Sequence, residues 1–202
     1  YLSKMFSVVE GIPLESLQAG LKWNWESFGE WLSLIDGHAG VNVGFLVGHS
    51  ALRRLVMGAD SVGNAAGPGQ IDAMSKLLHQ CLEEGGLGFS SSWNPLVDAA
   101  GDPIPSRFAK QDELFELARV TGQHPGTVLE FAPGVSGVFG HHSVETMIGM
   151  SFRANRSIKW PSVKVERDNE AIVEEHLGYS TRAAQAGARI VALAYPEVIY
   201  KL

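Results

Sequence analysis

The sequence predicts an α/β fold built from about five strand–helix units. Apolar, β-branched runs alternate with amphipathic helical patterns from Val41 onward. The run of residues 189–194 is a continuous apolar strand, which is typical of a parallel sheet that is covered on both faces. Two architectures fit this order: an open doubly wound sheet, or part of a (β/α)8 TIM-type barrel, which normally needs about 250 residues.

The first part of the chain is helical and aromatic. Pro13 suits a first helical turn, and apolar residues follow it at helical spacing up to Leu21. A second helix is predicted from five apolar residues with the same periodicity: Trp25, Phe28, Trp31, Leu32 and Ile35. We expect these aromatic side chains to pack the helix against a sheet rather than to form a binding cage.

Strands and helices then alternate along the chain. Residues 41–47, 87–92, 127–131, 158–165 and 189–194 have the composition of strands. Helical patterns cover residues 71–82, 114–118, 144–152 and 172–184. Gly85 and Gly86 are predicted to end the first of these helices, whereas Pro161 interrupts the fourth strand.

Composition and charge exclude several classes of function. The chain has 202 residues, 45% of them hydrophobic and 19% charged, and a net charge of −6. A negative protein without a basic stripe is a poor partner for nucleic acid, and no segment is long and apolar enough to span a bilayer. The single cysteine, Cys81, falls on the apolar face of a predicted helix and suits a reducing, cytoplasmic compartment.

The most informative motif is the end of the first predicted strand. Gly48, His49 and Ser50 follow the run directly and lead into a helix. The carboxyl ends of parallel strands are where reacting groups gather, so His49 is a candidate catalytic residue. Arg53 lies four residues further along the helix, where its guanidinium can bind a substrate carboxylate. The alternatives are a hydrogen-bonded structural histidine and a salt bridge from Arg53 to a neighbouring strand.

Polar residues also follow the second strand. Ser90 and Ser91 end it, and their hydroxyls can donate to a substrate oxygen or simply cap the turn. The Pro- and Gly-rich loop of residues 93–108 comes next, and we expect it to cover the pocket with Arg107 as a substrate-binding residue. His141 and His142 are predicted to lie exposed in a helical turn, because adjacent side chains diverge and do not suit one metal ion.

Several stretches together resemble a known enzyme family. They are residues 9–14, residues 20–28, the run from Val41 through Gly48-His49-Ser50-Ala51-Leu52-Arg53 to Gly58, and Gly85-Gly86-Leu87-Gly88-Phe89-Ser90-Ser91-Ser92. This combination is similar to the N-acyl-D-amino-acid deacylases, or D-aminoacylases, of the amidohydrolase superfamily. The resemblance is close up to about Ala109 and looser afterwards.

The resemblance implies a metal-dependent (β/α)8 barrel that hydrolyses the amide bond of a small substrate such as an N-acyl amino acid. It also implies a divalent cofactor, usually zinc, which activates water and polarises the carbonyl. Family members carry metal ligands on the first and last strands of the barrel. We therefore expect residues 1–202 to be the central part of one barrel domain, incomplete at both ends, with most ligands outside it.

The middle strands depart from the family pattern. Where deacylases carry a strand-end histidine, this chain has Leu129-Glu130-Phe131, and where they carry a second histidine pair it has Ile158-Lys159-Trp160. Glu130 is therefore a candidate metal ligand or general base, although a hydrogen-bonded structural carboxylate fits the same position. His49 is expected to orient substrate or a ligand rather than to bind the metal.

Three functions remain open from the sequence. The first is a metal-dependent hydrolase of C–N bonds, with Glu130 and His49 in the site. The second is a barrel that has lost catalysis and binds a small ligand or partner, which the absent strand-end histidines favour. The third is a complete open-sheet domain.

Overall fold

The computed structural model describes residues 2–134, 139–163 and 170–194, which form one parallel sheet and its helices. The strands are β1 (Val47–Gly48), β2 (Gly88–Ser92), β3 (Val128–Ala132), β4 (Ile158–Val163) and β5 (Ile190–Ala194). The helices are α1 (Leu2–Val9), α2 (Leu14–Gly20), α3 (Phe28–Ile35), α4 (His49–Met57), α5 (Pro68–Glu83), α6 (Gln111–Gly122), α7 (His141–Ala154) and α8 (Glu170–Gln185).

The sheet has the topology of a barrel arc. Its strands are all parallel and lie in chain order, β1-β2-β3-β4-β5, without a reversal. Parallel strands in one sheet are joined by right-handed crossovers, which place the connecting helices on one face when the strand order does not reverse. Helices α4 to α8 all contribute buried residues to one core cluster with the strands, and successive helices from α4 to α7 pack against one another. A doubly wound sheet would reverse its strand order and place helices on both faces. The predicted barrel-type fold is therefore confirmed over this part.

Local sequence explains where several helices begin and end. The Ser27 hydroxyl accepts from the backbone of Glu30, and the Glu30 carboxylate accepts from the backbone of Ser27, which caps the start of α3. Pro68 lies in the first turn of α5, where its missing N–H costs nothing. Asn155 ends α7 in the left-handed conformation, with φ of 50°.

Strand register divides the sheet into two kinds of row. Five paired residues form a buried row against the helices: Val47, Phe89, Leu129, Ile158 and Ile190. Side chains alternate between faces along a strand, so the next paired row points to the opposite, helix-free side. That row is Gly48, Ser90, Glu130, Lys159 and Val191. We call the helix-free side the inner face, because it is the side that lines the inside of a closed barrel.

The first strand is much shorter than predicted. Only Val47 and Gly48 form β1, whereas residues 41–46 lie outside any ladder. One backbone bond reaches this segment, from the Leu87 N–H to the Phe45 carbonyl, and Val41 is 74% exposed. A β-branched run extends as a strand only where a neighbour pairs with it, and the described chain supplies one only at its end. Residues 164 and 165 of the fourth predicted strand lie outside the described residues.

The structure also bears on the predicted burial of Cys81 and on membrane-spanning segments. Cys81 is buried in the core between helices and sheet, as its position on the apolar face of α5 predicted. Among the described residues, no helix has both the length and the apolar character that crossing a membrane requires.

Candidate functional site

His49 is held at the junction of β1 and α4, on the helix side of the sheet. The residue is 1% exposed, and its ring packs edge-on against Phe89 with 5.3 Å between centroids. Nδ1 lies 2.7 Å from the Ser91 hydroxyl, and Nε2 lies 2.8 Å from Oε1 of Glu113. Both ring nitrogens are therefore engaged by partners that are themselves buried.

Glu113 and Arg53 complete this buried cluster. Glu113 is 1% exposed in the first turn of α6, and Arg53 is fully buried one turn along α4. Nη1 of Arg53 donates to both Glu113 oxygens, at 2.7 and 2.5 Å, and Nη2 donates to the Asn64 carbonyl at 2.6 Å. The charges of Arg53 and Glu113 cancel, which is the condition under which ions are tolerated inside a protein.

The protonation states follow from burial and these bonds. Burial lowers the pKa of His49 below its usual 6.5, because it disfavours the imidazolium, so the ring is neutral near pH 7. Burial alone would raise the pKa of Glu113, but bonds from His49 and Arg53 outweigh it and the pKa lies below its usual value. A neutral ring then donates from Nε2 to Glu113 and accepts the Ser91 hydroxyl at Nδ1.

The cluster has the residue types of a Ser–His–Glu triad but not its accessibility. Ser91 is only 4% exposed and faces the helices, so a substrate carbonyl has no route to its hydroxyl. In a triad the carboxylate also stabilises the imidazolium that forms on the histidine, whereas the charge of Glu113 is neutralised by Arg53. The arrangement instead ties α4, β2 and α6 together behind the sheet.

The loop after β2 is anchored to the same end of the sheet. The Ser106 hydroxyl donates to the Ser92 carbonyl at 2.7 Å, and Ser50 donates to Ser106 at 3.1 Å. Asp98 accepts from the backbone of Ala100 and closes a turn within the loop. Arg107 is exposed in the short 3₁₀ helix of residues 105–108, at the carboxyl ends of the strands.

The inner face carries a different set of polar side chains. Ser90 on β2, Glu130 on β3 and Lys159 on β4 are register partners of one another on adjacent strands. All three are partly buried. They are the side chains of this part that a closed barrel would direct toward its centre.

The predicted site residues therefore separate into two groups. Ser91 joins His49 and Arg53 on the helix side, whereas Ser90 joins Glu130 on the inner face. The structure does not bring His49 and Glu130 together: His49 bonds to Ser91 and Glu113 on the helix side, whereas strand alternation directs Glu130 to the inner face.

Arg53 also departs from its predicted role. A fully buried guanidinium that is bound to a carboxylate and a carbonyl has no surface left for a substrate. Arg53 does form a salt bridge, but its partner Glu113 lies on helix α6 rather than on a neighbouring strand, and Glu113 was not among the predicted site residues.

Within residues 2–134, 139–163 and 170–194, no three side chains of His, Cys, Asp or Glu converge to hold a metal ion. Glu130 has a serine on one neighbouring strand and a lysine on the other. His141 and His142 lie exposed in the first turn of α7, as predicted. The described residues alone do not fit a metal centre.

No family model matches the chain, but several known proteins are similar to it in sequence. It is 31% identical over 115 residues to D-aminoacylase and 39% identical over 118 residues to N-acyl-D-aspartate deacylase, both of Alcaligenes xylosoxydans xylosoxydans. These matches cover 56% and 57% of this chain but only 22% of each relative. An uncharacterized protein of Mycobacterium tuberculosis is 35% identical over 142 residues, which is 65% of this chain and 23% of that protein.

Solved structures give the same result. A structure of D-aminoacylase, reported for the role of its binuclear metal centre, matches with a TM-score of 0.66 and 26% identity, over 85% of this chain and 34% of that one. N-acyl-D-glutamate deacylase from Bordetella bronchiseptica, complexed with zinc and a phosphonate inhibitor, has the same fold, with a TM-score of 0.65 and 21% identity. In sequence and in fold, the chain is thus similar to D-aminoacylases, and the similarity spans about a third of the solved structures and less than a quarter of the sequence relatives.

Proposed function

We propose that residues 1–202 form the central part of a (β/α)8 barrel domain that hydrolyses C–N bonds in a small substrate such as an N-acyl amino acid. The observation that carries the proposal is the unbroken order of five parallel strands with successive helices on one face, in a chain related to D-aminoacylases. The chain spans less than a quarter of the relatives that it matches in sequence, so the activity belongs to the whole protein.

In this proposal the substrate binds at the inner face of the sheet. Glu130 is our candidate for the group that accepts a proton from the attacking water, since it is the carboxylate of the inner row. Ser90 lies beside it on β2 and can donate a hydrogen bond to a substrate oxygen. Arg107 lies on the loop at the carboxyl ends of the strands, where it can bind an anionic group of the substrate.

His49, Arg53 and Ser91 have a supporting role in this proposal. His49 and Arg53 bond to Glu113, and Ser91 bonds to His49, and these bonds fix the ends of β1 and β2 from behind the sheet. A divalent metal ion, zinc by resemblance, would supply Lewis acidity and is assigned to ligands outside the described residues. We assign no step of the reaction in this chain to that ion, because the residues described do not form its site.

The test is the hydrolysis of a panel of N-acyl-D- and N-acyl-L-amino acids by the intact protein and by Glu130→Gln. Loss of the proton acceptor is expected to lower kcat by about 10²- to 10⁴-fold. Glu116→Gln is the matched control, because Glu116 lies on the outer helix α6 and pairs with Arg119. Equal turnover by the Glu130 variant and the wild type would refute the role of Glu130.

A barrel that binds a ligand without catalysis is the second candidate. It is favoured by the inner row, where Lys159 and Val191 follow Glu130 and no histidine occurs. The same substrate panel and a metal analysis of the intact protein distinguish the two. Absence of both hydrolysis and bound divalent metal would favour the binding function.

A further inference from the structure

We infer that Ser106 is a positioning residue, which fixes the loop of residues 93–108 at the carboxyl end of β2 so that Arg107 can bind the carboxylate of the substrate. The inference deepens the proposed function and rests on it. It concerns a buried hydroxyl that the reaction itself does not use, next in sequence to an exposed guanidinium.

Three hydrogen bonds hold Ser106 between two elements of the barrel arc. Its hydroxyl donates to the Ser92 carbonyl at 2.7 Å and accepts from the Ser50 hydroxyl at 3.1 Å, and its N–H donates to the Ser50 oxygen at 3.2 Å. Each hydroxyl proton is used once, so the three bonds can form together. Ser106 is 1% exposed, and its partners are the last residue of β2 and a residue in the first turn of α4.

The rest of the loop is braced as well. At its start, the Trp93 N–H donates to the Ala132 carbonyl at the end of β3, at 2.8 Å. Across its middle, Val97 and Pro103 form an antiparallel bridge. Ser106 therefore closes a loop that is already ordered at its start and in its middle, and the loop is a fixed wall beside the site.

Arg107 combines a fixed backbone with a free side chain. Its N–H donates to the Ile104 carbonyl at 3.1 Å, and its side chain is exposed. Within the parts of the chain that the structure describes, the Arg107 guanidinium forms no hydrogen bond or ion pair. A guanidinium in this state can bind a carboxylate through two parallel hydrogen bonds. Because Ser106 has already fixed the loop, the ligand does not bear the cost of ordering it.

The loop begins close to the inner row. Ser92 and Ala132 are register partners, two residues beyond Ser90 and Glu130 along β2 and β3. Two residues of a parallel strand span about 7 Å. One small substrate can therefore contact both the candidate proton acceptor and the loop that Ser106 fixes.

The experiment uses the intact protein with Ser106→Ala, Arg107→Gln and the double variant. The matched control is Ser151→Ala. Ser151 is 4% exposed, donates to a carbonyl at 2.7 Å and accepts a backbone N–H at 3.0 Å, but it lies at the amino-terminal ends of the strands. The probes are N-acetyl-D-leucine, which carries the carboxylate, and its uncharged carboxamide. KM and kcat are measured for both probes, and amide deuterium exchange is measured over residues 93–108.

The expected pattern separates positioning from a general loss of structure. Ser106→Ala should raise KM for the carboxylate probe about tenfold, with kcat and the KM of the carboxamide changed less than about threefold. In the Arg107→Gln background the same substitution should change KM less than about twofold, because the guanidinium through which it acts is absent. Exchange in the loop should become faster in Ser106→Ala, whereas Ser151→Ala should change neither KM nor loop exchange.

An equal KM effect on both probes, additive effects in the double variant, or unchanged exchange in the loop would each overturn the inference. If the intact protein hydrolyses neither probe, the proposed hydrolysis fails, and Kd from titration calorimetry replaces KM in the same comparison. The positioning role is then still decided by affinity and exchange. A protein that does not distinguish the carboxylate from the carboxamide would refute that role in either case.

Discussion

Replacing Glu113 by glutamine removes the charge on which the buried cluster depends. The variant keeps the size of the side chain and can still accept a hydrogen bond from His49. It leaves the Arg53 guanidinium, which is fully buried and pairs with both Glu113 oxygens, without a counter-ion. Nε of Arg53 has no hydrogen-bond partner, so the guanidinium depends on the bonds of its Nη atoms to Glu113 and to the Asn64 carbonyl.

The expected cost follows from this burial. Removing one partner of a buried ion pair typically destabilises a protein by about 3–5 kcal/mol, because the other ion stays inside uncompensated. Glu116→Gln provides the matched control on the same helix. Its pair with Arg119 lies three residues apart, at side-chain exposures of 35% and 47%, so its loss should cost about 0–1 kcal/mol.

The assay is urea unfolding of the intact protein with both variants and with the double variant Arg53→Met/Glu113→Gln. Removing both charges should recover part of the stability that Glu113→Gln alone loses. A Glu113 variant within about 1 kcal/mol of the Glu116 control would refute the reasoning. It would mean that water or a rearranged side chain solvates Arg53 at no cost.

The remaining predictions concern pH and backbone geometry. Because burial lowers the pKa of His49 in the folded state, the unfolded chain binds the extra proton, and the free energy of unfolding should fall as pH drops below 6.5. The slope should reach about 1.4 kcal/mol per pH unit for each such proton, and His49→Gln should reduce it in urea titrations between pH 7.5 and 5.5. The lowered pKa of Glu113 should remove further stability below pH 4.5. Gly88→Ala should cost at least about 3 kcal/mol, since φ is 149° and a Cβ would meet the Val128 carbonyl oxygen at 1.9 Å, whereas Gly48→Ala, with open space, should cost far less.

Much of the fold could be predicted because the relevant signals are local. Helical periodicity identified α5 to α8, and strand-like composition between turn signals identified β2 to β5 to within a few residues. The predicted length of the first strand was wrong for a non-local reason. Residues 41–46 are β-branched and apolar, but strand formation depends on a pairing neighbour, which composition cannot reveal.

The sequence analysis selected several residues of the buried cluster but not the hydrogen bonds that join them. His49, Arg53 and Ser91 were selected from strand ends and helical spacing. Glu113, the common partner of His49 and Arg53, lies 64 and 60 residues from them in the chain. One local signal was available for Glu113. It shares a helical stripe with buried Leu117 and Thr121, and an acidic residue on an apolar stripe requires a buried partner.

The alternation of the sheet also decides which chemistry this part of the chain can perform. Ser90 and Ser91 are adjacent in sequence, but one lies beside Glu130 and the other bonds to His49, on opposite sides of β2. No rotation of a side chain carries His49 through the sheet to the inner face. Reaction schemes that need His49 to exchange a proton with a substrate near Glu130 are therefore excluded by geometry. His49 contributes by holding the ends of β1 and β2 in place through its bonds to Ser91 and Glu113. The charged side chains of the inner row are Glu130 and Lys159, and His49 does not reach them.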